Sequence, residues 1–279
     1  MIEIPEAITL SNQINKTLKG KKINSVIVNQ SPHKFAWYCG DPSKYDSKLN
    51  SKIIESAHSH GGFVEVSLGD IKLLFNDGVN LRYFNKGEKH PQKHQLLIQF
   101  EDDSILVASV QMYGGIWCFK DEEFDNLYYK IAKEKLSPLS EKFDLKYFKE
   151  IISDESLQKK SIKAFLATEQ RVPGLGNGVL QDILFNAKIH PKRRILTLSN
   201  KEIEELFDSV KSTLEEMIIK GGRDTEKDLF GCSGGYVTKL SKKTVKEPCR
   251  ICGRNIIKET YQGGSIYYCE GCQLNPSKK

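Results

Sequence analysis

Hydrophobic positions along the chain change period twice. Near the start Ala7, Leu10, Ile14 and Leu18 recur every three or four residues, with Pro5 at the opening turn and Gly20 as a stop. That spacing lines one face of an amphipathic helix. From residue 22 to about residue 119 the pattern shortens to INSVIVN, KFAWYC, GGFVEVSL, IKLLF, HQLLIQF, SILVASV and IWCF. Turn signals at Gly69-Asp70, Asn76-Asp77-Gly78 and Asp102-Asp103 separate several of these runs, which predicts a β-sandwich or barrel. From Glu122 onward the period is helical again, in FDNLYYKIAKEKL, DLKYFKEII and SIKAFLATEQ. Past a turn at Pro173-Gly174-Leu175-Gly176, a helix is expected over residues 177–187. The clearest helix spans 201–220, with Ile203, Leu206, Val210, Leu214 and Ile218 in one stripe, Asn200 as its cap and Gly221-Gly222 at its end. Residues 223–236 are polar and glycine-rich and read as a loop.

Composition narrows the class. The 279 residues are 39% hydrophobic and 28% charged, which excludes a collagenous, low-complexity or wholly disordered chain. The opening MIEIPEAITLSNQ has no apolar run of signal-peptide length, and no window approaches 18 apolar residues, so a cytoplasmic protein without a membrane partner is expected. The net charge of +6 is concentrated: residues 239–279 carry nine Lys/Arg against three acids, and the remainder balances. Such a tail suggests a polyanion partner, although a solubilising tail has the same composition.

The cysteines add chemistry. Cys39, Cys118 and Cys232 are scattered, and each reads as a small buried or partly buried thiol. Cys249, Cys252, Cys269 and Cys272 form C-x2-C-x16-C-x2-C, the spacing of two knuckles around one tetrahedral Zn2+. Two disulfides are the alternative, but nothing indicates an oxidising compartment. With four thiolates no coordination position stays open, so the zinc is expected to be structural and its small module to fold around it.

Residues 170–193, QRVPGLGNGVLQDILFNAKIHPKR, with Gly174, Leu175, Gly176 and Asn177 at the turn and Ile189-His190-Pro191 at the end, resemble the helix-two-turn-helix of the formamidopyrimidine-DNA glycosylase and endonuclease VIII family. The cysteine array lies where that family has its zinc finger, and MIEIPEA resembles its opening Met-Pro-Glu-Leu-Pro-Glu. The resemblance implies an α+β multidomain fold. It comprises an N-terminal helix plus β-sandwich (1–121), a helical helix-two-turn-helix domain (122–240) and a C-terminal zinc-finger β-hairpin (241–279). It also implies a monomer that binds damaged double-stranded DNA between its lobes, flips out the lesion and acts as a DNA glycosylase and abasic-site lyase. In the family the N-terminal proline amine attacks C1′ of the sugar. Glu3 matches the catalytic carboxylate and Glu6 one near the lesion pocket. Asn177 and Lys163 match backbone-holding residues, and Arg250, Arg254 and Lys258 lie on the DNA-facing hairpin of the finger.

By themselves these residues have blander readings: Asn177 as a helix cap, the two acids as partners of a helix dipole, Lys163 as a solvated charge. A glycine-rich turn entering a helix is nonetheless a ready phosphate site. The chain also departs from the family pattern. Ile2 stands in place of the proline, and a bulky second residue protects Met1, so the free amine is expected one residue too far out, about 3.8 Å. If Met1 were removed, the Ile2 amine would serve, as a valine does in some members. His60 replaces a phosphate-contacting lysine, Met112 and Tyr113 replace the Arg-Phe pair that fills the void left by the flipped base, Asp77 falls where a third void-filling residue is expected, and Gly264 replaces a phosphate-gripping arginine. Two functions follow: a glycosylase or lyase with altered range, or a non-catalytic binder of damaged DNA. An RNA-acting zinc-ribbon protein is a weaker third.

Overall fold

The structure, a computed structural model, describes residues 1–120 and 123–274; the boundary expected at 121/122 and the basic Lys278 and Lys279 lie outside the described residues. Helix α1 (Ile4–Thr17) comes first, ended by Gly20 at φ +85°. It packs Ala7, Leu10, Ile14 and Leu18 into a core shared with two sheets. One sheet has the order β1 (Ile23–Val28), β7 (Leu96–Phe100), β8 (Ile105–Val110), β6 (Val79–Phe84). The other runs β2 (Ala36–Trp37), β9 (Gly114–Lys120), β5 (Ile71–Asn76), β4 (Phe63–Leu68), β3 (Ser56–His60). Every neighbouring pair is antiparallel except β2 with β9. The expected helix-led sandwich is present.

Two strands and a short helix, α2 (Tyr45–Leu49), were not expected from the pattern. β3 reads SAHSH, too polar for a strand signal, and is held from outside: Asn15 on α1 donates to the Ala57 carbonyl and accepts from its N–H, both at 2.7 Å. β6 follows directly on the Asn76-Asp77-Gly78 turn.

Five helices follow: α3 (Leu127–Glu134), α4 (Leu145–Ile152), α5 (Ile162–Ala167), α6 (Asn177–Asn186) and α7 (Asn200–Ile219). α3 lies against the β lobe, where Tyr129 and Ala132 join Phe63, Leu74, Trp117 and Phe119. The others share a core that includes Phe148, Phe165, Leu180, Ile183, Leu206 and Leu214. The cap of α7 is Ser199, one residue before the expected Asn200, because Ser199 and Glu202 form a reciprocal capping box. Among the described residues no helix is long and apolar enough to cross a membrane.

Residues 223–236 are more than a surface loop. Leu229 is fully buried in the β-lobe core, Tyr83 N–H donates to its carbonyl, and Gln13 and Arg82 bond Asp228. The segment therefore straps the helical lobe back onto the sandwich. The finger is a hairpin of β10 (Ile257–Tyr261) and β11 (Gly264–Tyr268) seated on α6. Gln181 donates to the Ser265 carbonyl at 3.1 Å and accepts from Tyr267 N–H at 2.9 Å. Asp182, fully buried, accepts from the N–H groups of Lys239 and Leu240, both at 2.8 Å, and so ties the linker of the finger to α6. Burial pushes its carboxyl up to about 6.

Replacing Asp182 by alanine should strand two buried N–H groups and cost about 2–4 kcal/mol, read as a lower Tm with the finger resonances shifted. Unlike most carboxylates, Asp182 has a folded pKa above its unfolded one, so its share of stability is present below about pH 4 and is lost as pH rises through about 6. The alanine variant should lack that dependence in a Tm-versus-pH series.

Candidate functional site

The two lobes meet at the first three residues. Glu3 is 4% exposed, and its two oxygens accept from Gly178 and Val179 N–H at 2.8 Å each, at the N-terminus of α6. Gly176, the N-cap, has no side chain to offer. Asn177 is thus not the helix cap: a carboxylate from the other lobe is. For the same reason the expected phosphate position at this helix end is already taken by an anion. Both glycines flanking Asn177 are required by crowding, since a Cβ on Gly176 would lie 2.7 Å from Glu3 and one on Gly178 1.5 Å from Arg223 Nη1.

Arg223, 2% exposed, lies behind this contact. It clasps Glu6 through Nε at 2.9 Å and Nη2 at 2.7 Å, donates to the Met1 carbonyl at 3.3 Å, and places Nη1 3.6 Å from Glu3. Burial disfavours its charge, but Glu3 and Glu6 more than offset this and raise its pKa. Glu6 is therefore committed to Arg223 and does not face an open lesion pocket. The Met1 ammonium pairs with Glu226 of the same strap. Ile2 is buried in the β-lobe core, and its N–H donates to the Asp77 carbonyl at 2.6 Å.

Two cavities open on either side of this junction. The larger, about 480 Å³, is lined by Met1, Ile2, Glu3, Asp77, Trp37 and Trp117 among others. The second, about 350 Å³, lies towards the finger and is lined by Met112, Arg223, Glu226, Lys242 and Gly264 among others. Met1, Glu3, Tyr113 and Asn177 border both. Met112 is 64% exposed, whereas Tyr113 lies over the N-terminus, its hydroxyl 3.8 Å from Met1 Sδ and its ring 5.8 Å from Trp37. Asp77 is not an exposed wedge. It lines the larger cavity, and burial pushes its carboxyl up to about 6.

His60 faces Glu65 at 3.3 Å and the edge of Tyr129, half withdrawn from the surface. Although burial favours the neutral acid, bonds from His60 and Tyr129 hold Glu65 down at about 2. Lys163 is not a solvated charge: it is 2% exposed and donates to the Gln262 carbonyl at 2.9 Å, pinning the finger's turn. Arg250, Arg254 and Lys258 are exposed on the finger. Gly264 lies against Asn177, where a Cβ would be 2.3 Å from Nδ2, so the arginine the family pattern places there would require the Asn177 side chain to move. The four cysteine sulfurs lie within 4.8 Å of one another, with Cys249–Cys272 at 3.7 Å and Cys252–Cys269 at 3.3 Å. A tetrahedral zinc with bonds of about 2.3 Å sets sulfurs about 3.8 Å apart, so the cluster fits the ion.

Arg223, Glu226, Trp37 and Gln181 were not singled out by the sequence. An arginine after two glycines in a polar loop reads as solvated, and nothing local reports the two carboxylates it meets.

The formamidopyrimidine-DNA glycosylase H2TH domain description matches residues 135–228. A formamidopyrimidine-DNA glycosylase of Cytobacillus firmus is 29% identical over 98% of this chain and 100% of its own length, and one of Streptococcus pneumoniae is 29% identical over 98% and 99%. Among solved structures, Lactococcus lactis Fpg bound to DNA containing N7-benzyl-Fapy-dG superposes with TM-score 0.80 at 26% identity, covering 98% of this chain and 100% of that one. The same protein with Fapy-dG DNA gives 0.79 at 26%, with the same coverage. Helix-two-turn-helix, sandwich, cysteine cluster and relatives matched over their full length agree: the chain is similar throughout to formamidopyrimidine-DNA glycosylases.

Proposed function

We propose that the protein is a base-excision-repair DNA glycosylase acting on damaged double-stranded DNA held where its lobes meet. The observation that carries this reading is the convergence of the N-terminus, Glu3 and the turn before α6 between two cavities of ligand-pocket size. Its Lactococcus relatives hold lesion-containing DNA on the same fold. In this reading Arg250, Arg254 and Lys258 grip phosphates from the finger and Asn177 adds an amide donor. Met112 enters the base stack as an apolar wedge while Tyr113 stacks beside the N-terminus. Lys163 supports the DNA grip indirectly, through the finger's turn, and His60 contributes after leaving Glu65.

Base release builds positive charge on the sugar around C1′. Glu3, fixed by two backbone N–H groups, presents a preorganised negative charge there. The amine route is impaired, because the Met1 ammonium is paired with Glu226 and Ile2 is locked into the β lobe. Lyase activity is accordingly the weaker of the two. The four thiolates would hold one Zn2+ as a structural ion, which would supply no chemistry at C1′. A second reading, a non-catalytic binder, is favoured by the engagement of both Glu3 oxygens; base release from lesion duplexes separates the two.

Metal analysis should find one zinc per chain. The Cys249→Ser/Cys272→Ser double variant should lose it and bind DNA at least about tenfold more weakly, with the sandwich intact. Borohydride trapping on abasic-site DNA should be weak for the unaltered protein. It should rise by about 100-fold in Ile2→Pro once Met1 is removed, since about 1 Å of misplacement already costs that much; robust trapping by the unaltered chain refutes the impaired-amine argument. Glu3→Gln should abolish base release while lowering Tm, because an amide NH2 then confronts a helix N–H.

A further inference from the structure

Four carboxylates surround the first residues, and they differ in how much of their bonding capacity is spent. Glu226 is paired with the Met1 ammonium. Glu6 gives both oxygens to Arg223. Glu3 gives both to the N-terminus of α6. Asp77 differs: its side chain receives one hydrogen bond, from Asn76 Nδ2 to Oδ2 at 2.9 Å, and it lines the larger cavity beside the amine.

Its placement is enforced. Asp77 has φ +53°, a left-handed conformation unusual for a residue with a side chain. The Ile2 N–H on its carbonyl and the Gly78 N–H on the Tyr113 carbonyl at 2.9 Å hold the turn. Gly78 leaves no space for a side chain, since a Cβ would lie 2.6 Å from the Tyr113 oxygen. Asn76 is oriented in turn by accepting from Gly115 N–H at 2.9 Å, so its amide nitrogen is directed at Asp77.

We propose that Asp77 is the proton-transferring residue of base release and that this step is hydrolytic. The proposal rests on the glycosylase reading. Asp77 takes one proton from a water in the larger cavity, and the water oxygen bonds to C1′ as the C1′–N bond breaks. The electron pair of that bond leaves with the base, which collects the proton Asp77 has taken. The products are a sugar hydroxyl and a free base, with no oxidant, reductant or cofactor needed. Glu3 stabilises the charge on the sugar while Asp77 moves the proton, two carboxylates divided by their surroundings. Burial sets the proton affinity of Asp77 near neutrality, at about 6, against the opposing pull of the Met1 ammonium and the Asn76 bond, with Glu3 pushing the same way as burial. The other charged or titratable groups at this place are Tyr113 and Tyr128 on the cavity wall, Glu226 on the amine and Arg223 behind Glu3.

The test is single-turnover base release from a duplex with one formamidopyrimidine-guanine, using the full chain. Asp77→Asn keeps the left-handed turn, which asparagine tolerates. It should lose about 100-fold or more in rate while binding the lesion duplex with unchanged affinity. The wild-type rate should fall as pH drops through about 6, where a base becomes protonated, and the variant should lose that inflection. Asn76→Asp, which keeps an acceptor for the Gly115 N–H but no longer donates an amide N–H to Asp77, should move the inflection upward. An Asp77→Asn protein with unchanged rate and pH profile overturns this proposal alone. Wild-type protein that binds the lesion duplex and releases no base overturns the glycosylase reading as well.

Discussion

A carboxylate from one lobe capping a helix of the other is the contact on which the rest of the structure depends. Glu3 is nearly inaccessible to water, and the cost of burying its charge is offset only by being where it is, against two helix N–H groups with Arg223 behind. Every neighbour is constrained in consequence. Gly176 and Gly178 leave space for the carboxylate and the guanidinium, and Glu6 completes the charge balance of the arginine. The strap that carries Arg223 must reach back across the sandwich, where Leu229 anchors it.

That arrangement also shapes the two cavities. The same bonds that join the lobes fix Met1 and Glu3 at the partition between two cavities. On the proposed glycosylase reading, catalytic positioning and lobe adhesion are one set of interactions, so a substitution that disturbs one disturbs the other. The finger follows the same logic on the far side of α6, where Gln181 and Asp182 hold it through backbone groups.

Much of this was legible in the sequence. Period-two and period-3.6 patterns place the sandwich and helices, and the cysteine spacing places the cluster, because each depends on residues close in sequence. What escaped is long-range. Asn177 looks like a cap because caps are usually local, yet the cap arrives from 174 residues away. Lys163 looks solvated because lysine usually is, and only the folded finger supplies the Gln262 carbonyl that buries it. β3 is too polar to announce itself and is a strand because it pairs with β4 along its length, with Asn15 bonding Ala57 on its outer edge. Arg223 carries no signature at all, and Asp77 reads in the sequence only as a turn residue at a void-filling position; the charges around each are gathered by folding.

The ion pair between the Met1 ammonium and Glu226 has a practical side. An affinity tag fused ahead of Met1 converts that ammonium into a neutral amide and threads extra chain between the two cavities. Glu226 is then left without its counter-charge, and the partition that Met1 forms is displaced. A preparation handled in this way would report on a different junction from the one described, so purification by an untagged N-terminus is part of studying this protein at all.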